Sequence, residues 1–211
     1  MAKREENRGF ATTTVSAEGG AVSSEYQRYG RNKSTVINKT YIESGEFRRK
    51  FDRITEDANL ARLLYNKAKE MLYHRSGTEY EDMYWISVGS CCVLASVLNE
   101  KSIEQITYTS GIFDTIRDYD DIITIHTHPH SMPPSIEDIN ANHMYGYRRG
   151  IVVCHNGQVY VYGSEEEISE RLYDFYRIEF VEEGYTEKES QLKALIKIAD
   201  NHRMYIKEVI V

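Results

Sequence analysis

Asp121-Ile-Ile-Thr-Ile-His-Thr-His-Pro-His-Ser-Met-Pro-Pro-Ser-Ile-Glu-Asp-Ile-Asn-Ala-Asn-His-Met144 decides how the chain is read. Its first part, Asp121 to His126, is rich in β-branched residues and reads as a strand. Its middle holds all three prolines of the chain, Pro129, Pro133 and Pro134. Proline lacks a donor and fixes φ, so strand and helix must both stop there. From Ser135 to Met144 the pattern turns helical, with Ser135 in a favoured N-cap position. His126 and His128 stand two residues apart where the strand ends. Strand side chains alternate, so both imidazoles point to one face.

Working outward, Gly150–Cys154 and Gln158–Tyr162 read as a hairpin over His155-Asn-Gly157, because Asn-Gly is a strong turn signal. His155, in that turn, is expected to be exposed. Upstream, Met83–Val88 and Cys91–Val97 read as a second hairpin around Gly89-Ser90. Residues 46–75 carry apolar residues near helical spacing, from Phe51 to Leu72, until Ser76-Gly77 breaks the pattern. A short helix is predicted over 110–117, and two acidic amphipathic helices over 165–182 and 187–208. The order predicts an α/β sandwich with a mixed sheet of about five strands.

Composition narrows the functional classes. The chain has 211 residues, of which 41% are hydrophobic and 28% charged, as in an ordinary globular protein. Its net charge of −7 argues against a general polyanion binder. No apolar run approaches the roughly 18 residues of a membrane span, and no apolar segment follows the charged N-terminus as in a secretory signal. Cys91, Cys92 and Cys154 form no C-x-x-C and are odd in number, which fits a reducing cytoplasm. Residues 1–45 read as a polar, flexible arm. The first 40 residues hold seven Lys/Arg against four Asp/Glu. Residues 46–163 read as the core domain, and residues 164–211 as an acidic helical extension.

Two imidazoles on one face suit a zinc ion, and Asp138, on the first turn of the next helix, offers an oxygen ligand. Three protein ligands with one place left for water are the pattern of a catalytic zinc. Ser135 and Asp138 also have a plainer reading, because Ser-x-x-Asp at a helix start is nearly a capping box. A zinc hydrolase needs a proton acceptor near the water. Glu81 precedes the first strand and Glu79 lies two residues earlier. Either reads as a solvated loop carboxylate, but Glu81, at the head of a sheet strand, can overhang a site at the end of the neighbouring strand. His130 is a further candidate as an alternative ligand. Tyr145, Tyr147, Tyr160 and Tyr162 are expected to pack rather than to line a substrate wall.

The His-x-His-Pro…Ser-x-x-Asp segment, preceded by a Glu at the start of a strand, resembles the JAMM (MPN+) metalloprotease family and the related RadC-like domain. The resemblance covers residues 50–163. It implies a JAMM-like, cytidine-deaminase-like three-layer α/β/α sandwich, here followed by C-terminal helices. It implies Zn²⁺ held by His126, His128 and Asp138, with Glu81 as general acid/base and Ser135 stabilising the oxyanion. Glu-Asp-Met-Tyr-Trp-Ile is similar to the start of the RadC-like first strand, which favours Glu81 over Glu79. The implied substrate is a protein or peptide, including a ubiquitin-like tail. In one respect the chain departs from the family: six residues, Pro129 to Pro134, separate His128 from Ser135, where seven are usual. Two rivals remain. One is a metal-free scaffold of the same fold; the other is a nucleic-acid role, for which Arg148-Arg149 and the arm are the only basic candidates.

Overall fold

The computed structural model describes residues 33–99, 106 and 109–211. The larger part of the predicted arm, residues 1–32, lies outside them. After a 3₁₀ turn at Lys33–Thr35 come α1 (Lys39–Ile42), α2 (Gly45–Asp52) and α3 (Ala58–Arg75). They are followed by β1 (Met83–Ser87), β2 (Cys92–Val97), α4 (Ser110–Ile116), β3 (Ile122–His128) and α5 (Ile136–Met144). The chain closes with β4 (Arg149–Cys154), β5 (Val159–Ser164), α6 (Glu170–Glu182), α7 (Glu187–Ala199) and β6 (Met204–Glu208).

The six strands form one mixed sheet in the order β2-β1-β3-β4-β5-β6. Only β3 and β4 run parallel. Period-two alternation sends successive side chains to opposite faces. Tyr84, Ile86, Ile123, Ile125, Ile151 and Val153 pack with α1, α2 and α3 on one face. On the other face, Val152, Cys154, Tyr160 and Tyr162 meet α5, α6 and α7. Beside them, Met83, Trp85 and Ile122 meet α4 and Tyr147. Apolar cores on both faces of the sheet are compatible with a three-layer α/β/α sandwich.

Three boundaries differ from the sequence reading. The helix expected over 46–75 is two helices. Asp57 caps α3 by accepting the N–H groups of Asn59 and Leu60 at 2.7 and 3.1 Å, which ends any continuous helix from α2. Residues 33–45 belong to the fold rather than to an arm: Thr35 and Ile42 are fully buried. The last predicted helix, 187–208, stops at Ala199. Met204–Glu208 is a sixth strand that pairs antiparallel with β5, and Val209 joins the first core. The predicted helical extension, 164–211, is therefore built into the sheet.

Candidate metal centre

The register between β1 and β3 assembles the site. Met83 lies opposite His126 in an antiparallel pair, so the residues just before β1 stand beside the end of β3. Glu81 is thereby brought next to His128. Beyond β3 the chain turns at Ser131, whose φ is +59°, and runs through the two adjacent prolines into α5. Ser131 N–H donates to the His128 carbonyl at 3.1 Å. Gln191, reaching over from α7, donates to the carbonyls of Pro133 and Pro134 at 3.3 and 3.0 Å. These bonds fix the short loop, and with it the start of α5.

At that start both readings of Ser135 and Asp138 hold together. Ser135 Oγ accepts Asp138 N–H at 3.1 Å, and Asp138 Oδ2 accepts Ser135 N–H at 2.8 Å, a complete capping box. The same Asp138 carboxylate reaches the histidines. Its Oδ1 lies 3.3 Å from His126 Nε2 and its Oδ2 lies 3.4 Å from His128 Nε2. The two Nε2 atoms are 3.0 Å apart. Glu81 Oε1 stands slightly further back, 3.8 Å from His128 Nε2. The loop of six residues therefore carries Asp138 into contact with both imidazoles.

This donor set fits a metal ion. Ligand atoms about 2.0–2.1 Å from a tetrahedral ion stand roughly 3.3 Å from one another. The two Nε2 atoms, 3.0 Å apart, are close to that spacing, and Asp138 stands near it from each imidazole, with Oδ1 at 3.3 Å from His126 and Oδ2 at 3.4 Å from His128. Glu81, His126 and His128 also form a group whose ligand atoms lie within 4.8 Å of one another. Two carboxylates thus face the imidazoles. Asp138 touches both of them, and Glu81 is set slightly further back from His128. His128 Nδ1 sits 3.0 Å from the Met132 carbonyl, the second contact that orients a ligating imidazole. Among the described residues, His126 Nδ1 is buried without a partner.

The charges are coupled. Burial lifts the Glu81 carboxyl above its ordinary value, against the pull of His128 and His126. Burial acts the same way on Asp138, but His126 and His128 outweigh it and hold that carboxyl well below the usual range. For His128, burial favours the neutral ring, yet Glu81 and Asp138 carry its pKa up to about 9. Two carboxylates are held against the same imidazole, that of His128, a pattern common at functional sites.

Several residues fall elsewhere than expected. His130 is exposed on the rim and stands outside the donor group. His155 is buried at 2% exposure, with Nδ1 2.6 Å from the Thr35 carbonyl. Burial lowers its pKa to about 4. Tyr147 and Tyr162 pack, as expected, but they also line the cleft above the histidines. Arg149 gives its guanidinium to the Ile54 carbonyl at 2.6 Å. Sequence reasoning passed over Asp82, which is fully buried and receives Arg75 Nε at 2.5 Å and His74 Nδ1 at 2.7 Å. Its signal was weak, because its partners lie in another element and no fixed spacing marks such a triad.

Comparison with family models, with curated proteins and with solved structures found no match to this chain. Among the described residues no helix is long and apolar enough to cross a membrane.

Proposed function

We propose that this protein is a zinc-dependent metallopeptidase or isopeptidase of the JAMM type. The observation that carries the reading is the convergence of His126, His128 and Asp138 within 3.0–3.4 Å, with Glu81 at 3.8 Å. His126, His128 and Asp138 would hold a zinc ion, which would supply Lewis acidity and lower the pKa of a water to about 7.

The chain's own groups do the rest. Glu81 takes a proton from the attacking water as its oxygen bonds to the carbonyl carbon. It returns that proton to the amine nitrogen as the C–N bond breaks. Burial raises the Glu81 carboxyl toward the range in which both transfers are easy. Ser135 Oγ accepts one N–H and keeps its own hydrogen to give to the developing oxyanion. The capping box holds that hydroxyl and the Asp138 carboxylate in one rigid unit.

The test is Glu81→Gln. The variant keeps its zinc and loses turnover of peptide or isopeptide substrates by about 10²-fold or more. Turnover equal to wild type removes Glu81 from the mechanism.

A further inference from the structure

Helix α6 presents three faces. Tyr173 is turned into the core beneath the sheet. Tyr176, Glu179 and Phe180 meet α7: Glu179 pairs with Lys197 at 2.7 Å, and the Lys197 ammonium lies 4.3 Å from the Tyr176 ring centre and 5.4 Å from that of Phe180. The third face is exposed. Arg171, Phe175, Ile178 and Glu182 recur there in steps of four, three and four residues, so they form one line along the helix. Phe175 is 62% exposed and Ile178 48%, and Val181 widens the apolar patch on one side. Apolar patches rimmed by charge mark interaction surfaces.

The two ends of that line carry the charges that α6 itself disfavours. A helix is partly positive at its N-terminus and partly negative at its C-terminus. Arg171 nevertheless stands in the first turn and Glu182 at the last residue, and the last turn holds no basic residue. Among the described residues, the ion pairs of this helix are Asp174–Arg177, Arg177–Glu187 and Glu179–Lys197, and neither Arg171 nor Glu182 takes part in one. A second α6 laid antiparallel on the first accounts for both placements. Arg171 then faces the Glu182 of the copy, and Phe175 faces its Ile178, about a two-fold axis that passes between Tyr176 and Arg177. Each Arg171 comes to lie at the C-terminal end of the other helix, where a cation is favoured, and each Glu182 at the N-terminal end. The same surface serves on both copies, as a closed two-fold contact requires.

We propose that the protein forms a two-fold dimer through α6, with Phe175 and Ile178 at its centre and an Arg171–Glu182 ion pair at each end. The dimer needs nothing from the metal centre, so its presence and the peptidase activity are measured apart.

The test is the mass of the full chain in solution, by sedimentation over roughly a hundredfold range of concentration up to about 0.1 mM. A mass near twice that of one chain is expected at the upper end, falling on dilution. Ile178→Asp abolishes it while the melting temperature of the chain stays that of the dilute wild type. Arg171→Glu or Glu182→Arg alone sets like charges against each other at both ends, and lowers the association constant at least about tenfold at low salt. The double swap, Arg171→Glu with Glu182→Arg, restores association to within about threefold of wild type. Restoration requires that the two residues meet across copies, because they stand about three turns apart on their own helix. A chain that is monomeric throughout, whose exposed face is then left to some other protein, overturns the proposal. So does a dimer untouched by Ile178→Asp, or a double swap no better than the single ones.

Discussion

Thr127 and Asp82 hold each other by two hydrogen bonds: Asp82 N–H donates to Thr127 Oγ1 at 3.0 Å, and Thr127 N–H donates to the Asp82 carbonyl at 3.1 Å. Thr127 sits between the two histidines of the centre, and Asp82 follows Glu81. The pair extends the β1–β3 ladder past its end and fixes Glu81 against His128. On the far side, Asp82 is pinned by Arg75, whose guanidinium also donates to the Leu98 carbonyl at 3.0 Å. The carboxylate side of the centre is thus tied back to α3.

Thr127→Val keeps the shape but removes the acceptor of a buried N–H. Loss of about 1–3 kcal/mol of stability is expected, read by urea unfolding. Zinc affinity is expected to fall about tenfold, as when a group that orients metal ligands is lost. A variant as stable as wild type, with unchanged zinc affinity, shows that the tie does not matter.

Glycine at position 150 is required by a close approach. Gly150 lies opposite Tyr162 in the β4–β5 ladder, and a Cβ there would sit 2.1 Å from the tyrosine ring. Gly150→Ala forces that ring off the sheet and into the cleft. Overpacking of this kind costs about 1–3 kcal/mol, measurable by thermal or chemical unfolding. An undisturbed midpoint means that the ring moves freely.

Much of this architecture was legible in the chain. Strands β1, β3, β4 and β5 announced themselves by β-branched runs between turn signals, and His126 and His128 by their spacing of two. The sixth strand was hidden. Met204-Tyr-Ile-Lys-Glu208 does alternate between more and less buried positions. No Gly or Pro separates it from α7, however, so the helical period ran on across Asp200–Arg203. The break between α2 and α3 was missed for a related reason. Both helices present apolar residues to one core, so Phe51, Ile54 and Leu60 look like one stripe. Asp82 was illegible because its meaning lies in Arg75, His74 and Thr127, which only the fold brings to it. The short proline loop raised the question of whether Asp138 reaches the histidines, and local sequence holds no answer: Gln191, from far down the chain, helps to seat that loop.

In the metal-free protein His128 titrates at about 9 in the folded state, because Glu81 and Asp138 outweigh its burial. An unfolded histidine titrates near 6.5. A raised folded pKa gives stability that is full below about pH 6.5 and is lost as pH rises through 9, about 3 kcal/mol in all. The melting temperature of metal-free protein therefore falls between pH 7 and pH 9.5, and His128→Gln flattens that decline. A decline of the same depth in the variant assigns it to other groups.

Zinc bound at the proposed centre would have to displace the same proton. Its affinity for the metal-free protein is expected to rise roughly tenfold per pH unit between pH 7 and 8. Competition with a chelator of known affinity measures this, after allowance for the chelator's own pH dependence. A flat profile is inconsistent with a protonated His128 at the centre.

The most direct test is the metal content of the purified protein, wild type beside His126→Ala. Near one zinc per chain, about the stoichiometry of a single three-ligand site, is expected in the wild type and is lost in the variant. A wild-type chain that holds no metal even after zinc is supplied, or a variant that holds as much as wild type, contradicts the assignment of His126, His128 and Asp138 as a metal centre.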